Sequence, residues 1–274
     1  MTSEKVKKKR KVKPIYNHAV CMISSAPIRR KSDDRAEIVS QLLFGEICTI
    51  VTKKNKSWVK IQCEWDDYVG WVDPKQLRKI SEQEFVKLTE NRSFSLDLSQ
   101  TLISGDLAFP ILIGSTLPGF DGMSLKIDGE KLLYNGQAVS PLEVDPSPEL
   151  IVKVAKKYLH APYLWGGRSP FGIDCSGLTQ VIFKIFGIKL PRDAYQQAEY
   201  GEIVDFVETS QIGDLAFFEN KEGNIHHVGI MLGNKEILHA SGIVRIDRID
   251  HFGIYHHGKR SYTHKLRFVR RIIK

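Results

Sequence analysis

Between Tyr163 and Leu178 the chain reads YLWGGRSPFGIDCSGL, and Cys175 is the residue in it with the sharpest chemistry. Gly166-Gly167 and Ser169-Pro170 are turn signals. Beyond Asp174-Cys175-Ser176-Gly177 the residues Leu178, Val181, Ile182, Ile185 and Phe186 recur at helical spacing, the stripe of one buried face. The spacing predicts a helix with Cys175 in its first turn. Unpaired backbone N–H groups and the positive end of the helix dipole there favour a thiolate and lower the thiol pKa. A thiol nucleophile needs a proton acceptor. Two histidines follow in apolar, strand-like runs, His227 in HHVGIMLG and His239 in EILHASG. The chain order cysteine, histidine, polar residue is that of a nucleophilic triad for acyl transfer.

The elements that must position these groups fall into blocks. Residues 15–80 carry short alternating runs, at 19–22, 36–39, 46–51, 58–61 and 68–72, separated by charged turns, the pattern of a small β-barrel or sandwich. Ser81 with Glu84 three residues on is a capping box, and it opens a short amphipathic helix in SEQEFVKLTE. Residues 92–145 are strand-like again, with turn signals at Gly105, Pro110, Pro118-Gly119, Asp128-Gly129 and Asn135-Gly136. The last of these predicts a type I′ hairpin between Leu132-Leu133-Tyr134 and Gln137-Ala138-Val139. Asp145-Pro146-Ser147-Pro148 reads as a linker and helix start, followed by a helix over 149–159. Residues 214–218, 228–232 and 235–239 read as strands of an antiparallel sheet, so helices packed on that sheet give an α+β fold.

The blocks YLWGGRSPFGIDCSGL, LPRDAYQQ, GDLAFF, HHVGIML and ILHASG, in this order, resemble the NlpC-type papain-fold cysteine peptidases of bacteria over about Pro148 to Ile272. SQLLFGE, SWVKIQC and YVGWVDPKQL resemble the bacterial SH3-like domains that accompany them. The resemblance implies an α+β, papain-like catalytic domain at 146–274, preceded by two small all-β SH3-like barrels at 15–80 and 92–145. Between the barrels lies a linker helix at 81–91, and a basic tail occupies 1–14. It makes Cys175 the nucleophile, His227 in His-Val-Gly-Ile the general base, and His239 the group that orients the imidazole. His226 falls to the opposite face of the strand, at the rim or in solvent.

Tyr163, by the same resemblance, lies near the catalytic centre, where its hydroxyl and the backbone N–H of Cys175 serve the developing oxyanion; a core aromatic is the alternative. Asp174 and Ser176 flank the thiol, and relatives use the aspartate toward the substrate's amine. Trp165 is assigned to core or cleft wall. Glu46 in LLFGE and Tyr68 in YVGW match a glutamate and a tyrosine that reach the cleft in relatives trimming free peptidoglycan stem peptides. Such a pair would close one end of the groove on a free α-amine. Ala194 stands where many relatives have serine, and Phe44 where tyrosine is usual. The implied activity is hydrolysis of the bond between γ-linked D-Glu and an L-diamino acid after a free N-terminal L-Ala, with no metal and no organic cofactor. The rival activities are an endopeptidase or amidase on intact wall tethered by its barrels, a minor acyltransferase option, and a non-catalytic peptide-binding protein, which the intact Cys175, His227 and His239 oppose.

Composition sets outer bounds. The formal net charge of +8 comes largely from Lys5 to Lys13 and from Lys265, Arg267, Arg270, Arg271 and Lys274. It would attract anionic peptides, nucleic acid or wall polymers, but without aromatic interleaving a solvated tail is the simpler reading and no nucleic-acid partner is expected. No apolar stretch is long enough to span a membrane. No apolar segment follows the basic run, so with Met1 as native start a cytoplasmic location is expected. A monomer is expected as well. Cysteines at 21, 48, 63 and 175 form no regular framework, and three of them read as buried free thiols. A zinc site from His226, His227, His239, His256, His257 and His264 is a weak alternative, since adjacent pairs point to alternating faces and no HExxH supports them.

Overall fold

The computed structural model describes residues 17–54 and 56–273. The basic run from Lys5 to Lys13 lies outside them.

The first unit is a seven-stranded antiparallel sheet, β1 (His18–Cys21), β2 (Ser25–Arg29), β3 (Ile38–Leu43), β4 (Ile47–Lys53), β5 (Val59–Cys63), β6 (Val69–Val72) and β7 (Leu77–Ile80). Its order is β3-β2-β6-β5-β4-β1-β7. Alternation places Ala26, Ile28, Val59, Ile61 and Val72 inside a core shared with Cys21, Cys48 and Cys63. All four cysteines are free and buried. Helix α1 (Glu82–Thr89) follows, and Ser81 caps it by accepting from the Glu84 N–H at 3.1 Å.

The second unit holds β8 (Arg92–Ser95), β9 (Ser99–Ser104), β10 (Leu107–Leu112), β11 (Thr116–Pro118), β12 (Ser124–Ile127), β13 (Glu130–Tyr134) and β14 (Ala138–Val139). They form two small sheets, β10-β9-β13-β12 and β11-β8-β14. The hairpin expected at Asn135-Gly136 is absent, because β14 pairs with β8 and not with β13. Asp97 takes the Gln137 N–H at 2.7 Å and so carries the chain away to the other sheet. The tight hairpin is at Asp128-Gly129, where φ values of 51° and 79° are those a type I′ turn requires.

The third unit begins with α2 (Pro148–Lys156), shorter at its end than the sequence predicted, and a ribbon of β15 (Arg168–Ser169) and β16 (Gly172–Ile173). Helices α3 (Cys175–Ile185) and α4 (Ala194–Gln197) precede β17 (Glu202–Val204), β18 (Leu215–Glu219), β19 (Ile225–Gly233), β20 (Glu236–Ser241), β21 (Ile243–Asp250), β22 (Gly253–His256) and β23 (Ser261–Arg271). Strand β23 pairs with both β18 and β22, which closes β18 to β23 into a six-stranded ring with β17 appended. The sequence located its first three strands. The charged run from Arg245 to Arg271 concealed the others.

Helix α3 is buried on every side, not along one stripe. Its apolar residues pack on the ring strands and α2, while its polar side chains bind the other units. Gln180 donates to Asp66 at 2.8 Å, and Lys184 donates to Glu46 and, at 2.9 Å, to the Gly114 carbonyl. A helix sandwiched between units must satisfy its polar atoms internally, which explains polar residues with no access to water. No helix among the described residues is long and apolar enough to cross a membrane.

Candidate active site

A cleft of about 630 Å³ opens where the first unit meets the third. Cys175, Ser176, Asp174, Tyr163, Trp165 and His227 line it from one side, and Tyr68, Glu37 and Arg30 from the other. Asp174 is the N-cap of α3, so the thiol sits on the first residue of a rigid, buried helix. Its carboxylate accepts from Gly177 N–H (2.7 Å), Gly166 N–H (2.8 Å) and both terminal nitrogens of Arg192 (2.6 and 3.0 Å). Those four bonds fill the usual capacity of a carboxylate. Asp174 therefore acts as a cap held by a buried arginine, and a substrate amine could reach it only by displacing a partner. Arg192 also donates to Ser176 Oγ at 2.9 Å.

The histidines come together because Gly229 of β19 faces His239 of β20, which puts His227 one diagonal step away. A Cβ at Gly229 would lie 2.7 Å from Ile237 and 3.0 Å from His239 Cβ, so the glycine lets the strands approach. His227 Nε2 and His239 Nδ1 are 2.9 Å apart, and His239 Nε2 is 3.0 Å from Asp247 Oδ2. His226 is exposed at the rim. His264, which the sequence placed only in a loose histidine group, stacks on His227 with ring centroids 4.2 Å apart.

Burial pushes the His227 pKa well below its ordinary value, and the neighbouring His239, His264 and His226 add to this. Burial also pushes the Cys175 thiol up to about 12, aided by the charge of Asp174. The backbone N–H groups of Val228 and Ser176 and the guanidinium of Arg192 oppose it without prevailing. Burial thus works against the helix dipole at Cys175, and it disfavours the charged form of His227 in the same cleft. Tyr163 is half-buried, its phenol raised to about 12 mainly by burial, so it stays a hydrogen-bond donor.

Glu46 is not in the cleft. It is 6% exposed and accepts from Arg168 Nη1 (2.8 Å) and Nη2 (2.9 Å), from Lys184 and from the Leu43 N–H (2.9 Å). Gly45, at φ +76° and packed against the Thr116 carbonyl, turns the chain inward here. The space around Glu46 amounts to about 10 Å³, too small for a ligand group. The barrel carboxylate that lines the cleft is Glu37, bound by Arg30 and by the Trp165 indole N–H at 2.7 Å. Trp165 is cleft wall, 58% exposed. Tyr68 lies in the cleft as expected, and Ala194 borders it next to Tyr195. Glu37 carried no motif in the sequence, and nothing but its place on the barrel's cleft edge reveals it.

His227, His239 and His264 bring ring nitrogens within 4.8 Å of one another, the one such group among the described residues. Both nitrogens of His239 are already engaged by His227 and Asp247. A cation there would have to break the chain of hydrogen bonds, so these residues fit an imidazole relay better than a metal centre.

Comparison with known proteins places the chain in a family. The NlpC/P60 family profile matches residues 160–259, and that of the bacterial dipeptidyl-peptidase SH3 domain matches residues 28–77. A Bacillus subtilis protein named gamma-D-glutamyl-L-lysine dipeptidyl-peptidase is 34% identical over 218 residues, covering 74% of this chain and 72% of its own. A Bacillus cereus protein of the same name is 32% identical over 234 residues, covering 74% and 67%. The chain belongs to the NlpC/P60 family. It is a cysteine peptidase with an N-terminal SH3-type domain. The crystal structure of an NlpC/P60 family protein from Bacillus cereus shares the fold, with a TM-score of 0.80 over 94% of this chain and 100% of that one at 24% identity. An NlpC/P60 endopeptidase from Photobacterium damselae subsp. piscicida superimposes with a TM-score of 0.69 at 20% identity, over 85% and 66%.

Proposed function

We propose that this peptidase cleaves peptidoglycan stem peptides after γ-linked D-Glu, releasing L-Ala-γ-D-Glu from substrates whose L-Ala amine is free. The observation that carries this reading is that Glu37 and Tyr68 of the SH3-type domain line the same cleft as Cys175 and His227. A carboxylate at a closed end of a peptide groove is the counter-charge an α-ammonium needs. The names of the Bacillus relatives support the bond that is cut. In this reading 92–145 is a second, abbreviated barrel that braces the other two units, and the protein acts on released peptides, not on the intact wall.

The mechanism follows from the electrostatics. The thiol of Cys175 gives its proton to His227 as the sulfur attacks the γ-carbonyl of D-Glu. The Tyr163 hydroxyl and the Cys175 N–H donate to the oxyanion. His227 then returns the proton to the leaving amine of the diamino acid and activates the water that hydrolyses the thioester. No step calls for a metal.

Mass spectrometry of L-Ala-γ-D-Glu-diamino-acid peptides, with free and acetylated N-termini, tests the proposal. Release of L-Ala-γ-D-Glu from the free peptide alone is the expected result. Cleavage of both peptides at equal rates would return the SH3-type domain to the role of a tether.

A further inference from the structure

The catalytic reading gives His227 a proton to accept, and an imidazole can accept only at a nitrogen that carries none. Which nitrogen that is depends on the far end of the hydrogen-bond chain. Asp247 sits on β21, buried, with Oδ2 3.0 Å from His239 Nε2. Arg245, two residues before it, donates from Nη2 to Oδ1 at 2.7 Å and places Nε 2.7 Å from Oδ2. Burial alone would raise the aspartate, but its bonds from His239 and Arg245 outweigh that and keep it below its usual range.

An ionised carboxylate can only accept hydrogen bonds. His239 Nε2 must therefore carry a proton. Burial lowers the His239 pKa against the pull of Asp247, and a neutral ring with its proton on Nε2 presents Nδ1 as an acceptor. The partner of that acceptor is His227 Nε2 at 2.9 Å, which must then be the donor. His227 is left with a bare Nδ1. We infer that Asp247 is a positioning residue for the proposed Cys175–His227 pair: through His239 it fixes the tautomer of His227 and makes Nδ1 the base.

The inference rests on the catalytic roles proposed above. No motif in the sequence pointed to it, because Asp247 lies in IVRIDRID, where charged residues interrupt the apolar alternation.

Asp247→Asn keeps the shape but can present an N–H to His239 Nε2. His239 would then hold its proton on Nδ1, donate to His227 Nε2, and leave the proton of His227 on Nδ1, where none can be accepted. We expect kcat to fall by about a hundred- to ten-thousandfold with KM little changed, the size of effect a wrong tautomer produces in a serine-protease triad. ¹⁵N NMR of the ring nitrogens should show the His227 proton moving from Nε2 to Nδ1.

A second variant separates positioning from structure. In His239→Asn the amide oxygen can accept from His227 Nε2 without help from Asp247. Adding Asp247→Asn to that background should change kcat by no more than about threefold, the non-additivity that a serial relay demands. An equal loss from Asp247→Asn in both backgrounds, or an unchanged His227 tautomer, overturns the inference. The NMR readout does not depend on turnover, and Cys175→Ala tests the catalytic reading separately. Full activity in Cys175→Ala defeats that reading, whereas an inactive Cys175→Ala beside a fully active Asp247→Asn defeats the role of Asp247 alone.

Discussion

Glu46 and Arg168, 122 residues apart in sequence, form a two-pronged ion pair in which both side chains are almost wholly buried. It joins the turn before β4 to the ribbon that leads into the Cys175 helix. Lys184 of α3 completes the cluster, and Arg168 also donates from its backbone N–H to Gln41 at 2.7 Å. Trp65 and Phe94 lie 5.8 and 5.1 Å from the Lys184 ammonium and shield it. Burial pushes the Glu46 carboxyl up, but Arg168 and Lys184 outweigh it and hold it at about 2. Burial draws Lys184 down to about 8 against the pull of Glu46.

Removing the carboxylate leaves two cations facing each other without water. Breaking a buried ion pair from one side costs about 3–5 kcal/mol. For a chain of this size that corresponds to a fall in Tm of roughly 6–20 °C. Glu46→Gln should therefore melt earlier, while its preference for free over acetylated peptides stays that of the parent at permissive temperature. A variant that melts like the parent but loses the preference would put Glu46 back in the cleft.

Thiol labelling reads access more than ionisation. Burial raises Cys21 and Cys175 alike to about 12 and lifts Cys48 and Cys63 as well, so the direction of the shift does not set one thiol apart from the others. Only Cys175 among them borders the cleft. Iodoacetamide should modify Cys175 first, with a rate that climbs steadily as pH rises above neutrality, and modification should abolish turnover. A rate already at its plateau near pH 6 would mean a preformed thiolate–imidazolium pair.

Acid stability follows from the buried histidines. The folded values of His227, His239 and His264 all lie below the ordinary 6.5, His264 at about 4, chiefly through burial. Above about pH 6.5 the folded and unfolded chains are both neutral at these sites, and stability is at its full value. As pH falls below that, the unfolded chain takes up protons that the folded one refuses, so stability drops. Glu46 adds a second loss between its ordinary value of 4.5 and about 2. Thermal melts from pH 8 to 3 should show Tm level above pH 6.5 and declining below it. In His264→Phe, which keeps a ring against His227, the first decline should be shallower. A Tm that rises on acidification to pH 5 contradicts the neutral-histidine site.

The proposed nucleophile and the paired histidines were legible because each sits in a short local pattern, a capped helix start or an apolar strand, that chemistry and folding both constrain. What failed to show has a common cause. Glu37, Asp247 and Arg192 act through contacts across strands or between units, which no local periodicity encodes. Glu46 misled for the complementary reason: its phrase marks a tight turn at Gly45, and the direction of that turn depends on Thr116 in a different unit. The Asn135-Gly136 signal was overridden similarly, by Asp97 drawing Gln137 to another sheet. The ring strands after β20 escaped detection since their outward residues are charged and their inward ones few.

The last prediction concerns Glu37, whose carboxylate stands at the cleft edge with Tyr68. Its hydrogen bonds from Arg30 keep it below the usual carboxylate range, so it is charged at neutral pH. A substrate ammonium reaching it would form a charge-assisted bond, but one that water and Arg30 share. Glu37→Gln should accordingly lower kcat/KM on the free-amine peptide by about tenfold, ~1.4 kcal/mol, the modest end for a bond to a charged group. The acetylated peptide has no ammonium to lose, so its already low kcat/KM should change little. Tyr68→Phe removes only a neutral hydroxyl and should cost less on the same substrate. Since Glu37 also receives the Trp165 indole N–H, a control is needed against a shifted cleft wall. Trp165→Phe supplies it: that variant loses the bond but keeps the carboxylate, and should retain the discrimination between the two peptides. If Glu37→Gln lowers both peptides by the same factor, the glutamate is holding Trp165 and not the amine, and the free-amine specificity must come from elsewhere in the cleft.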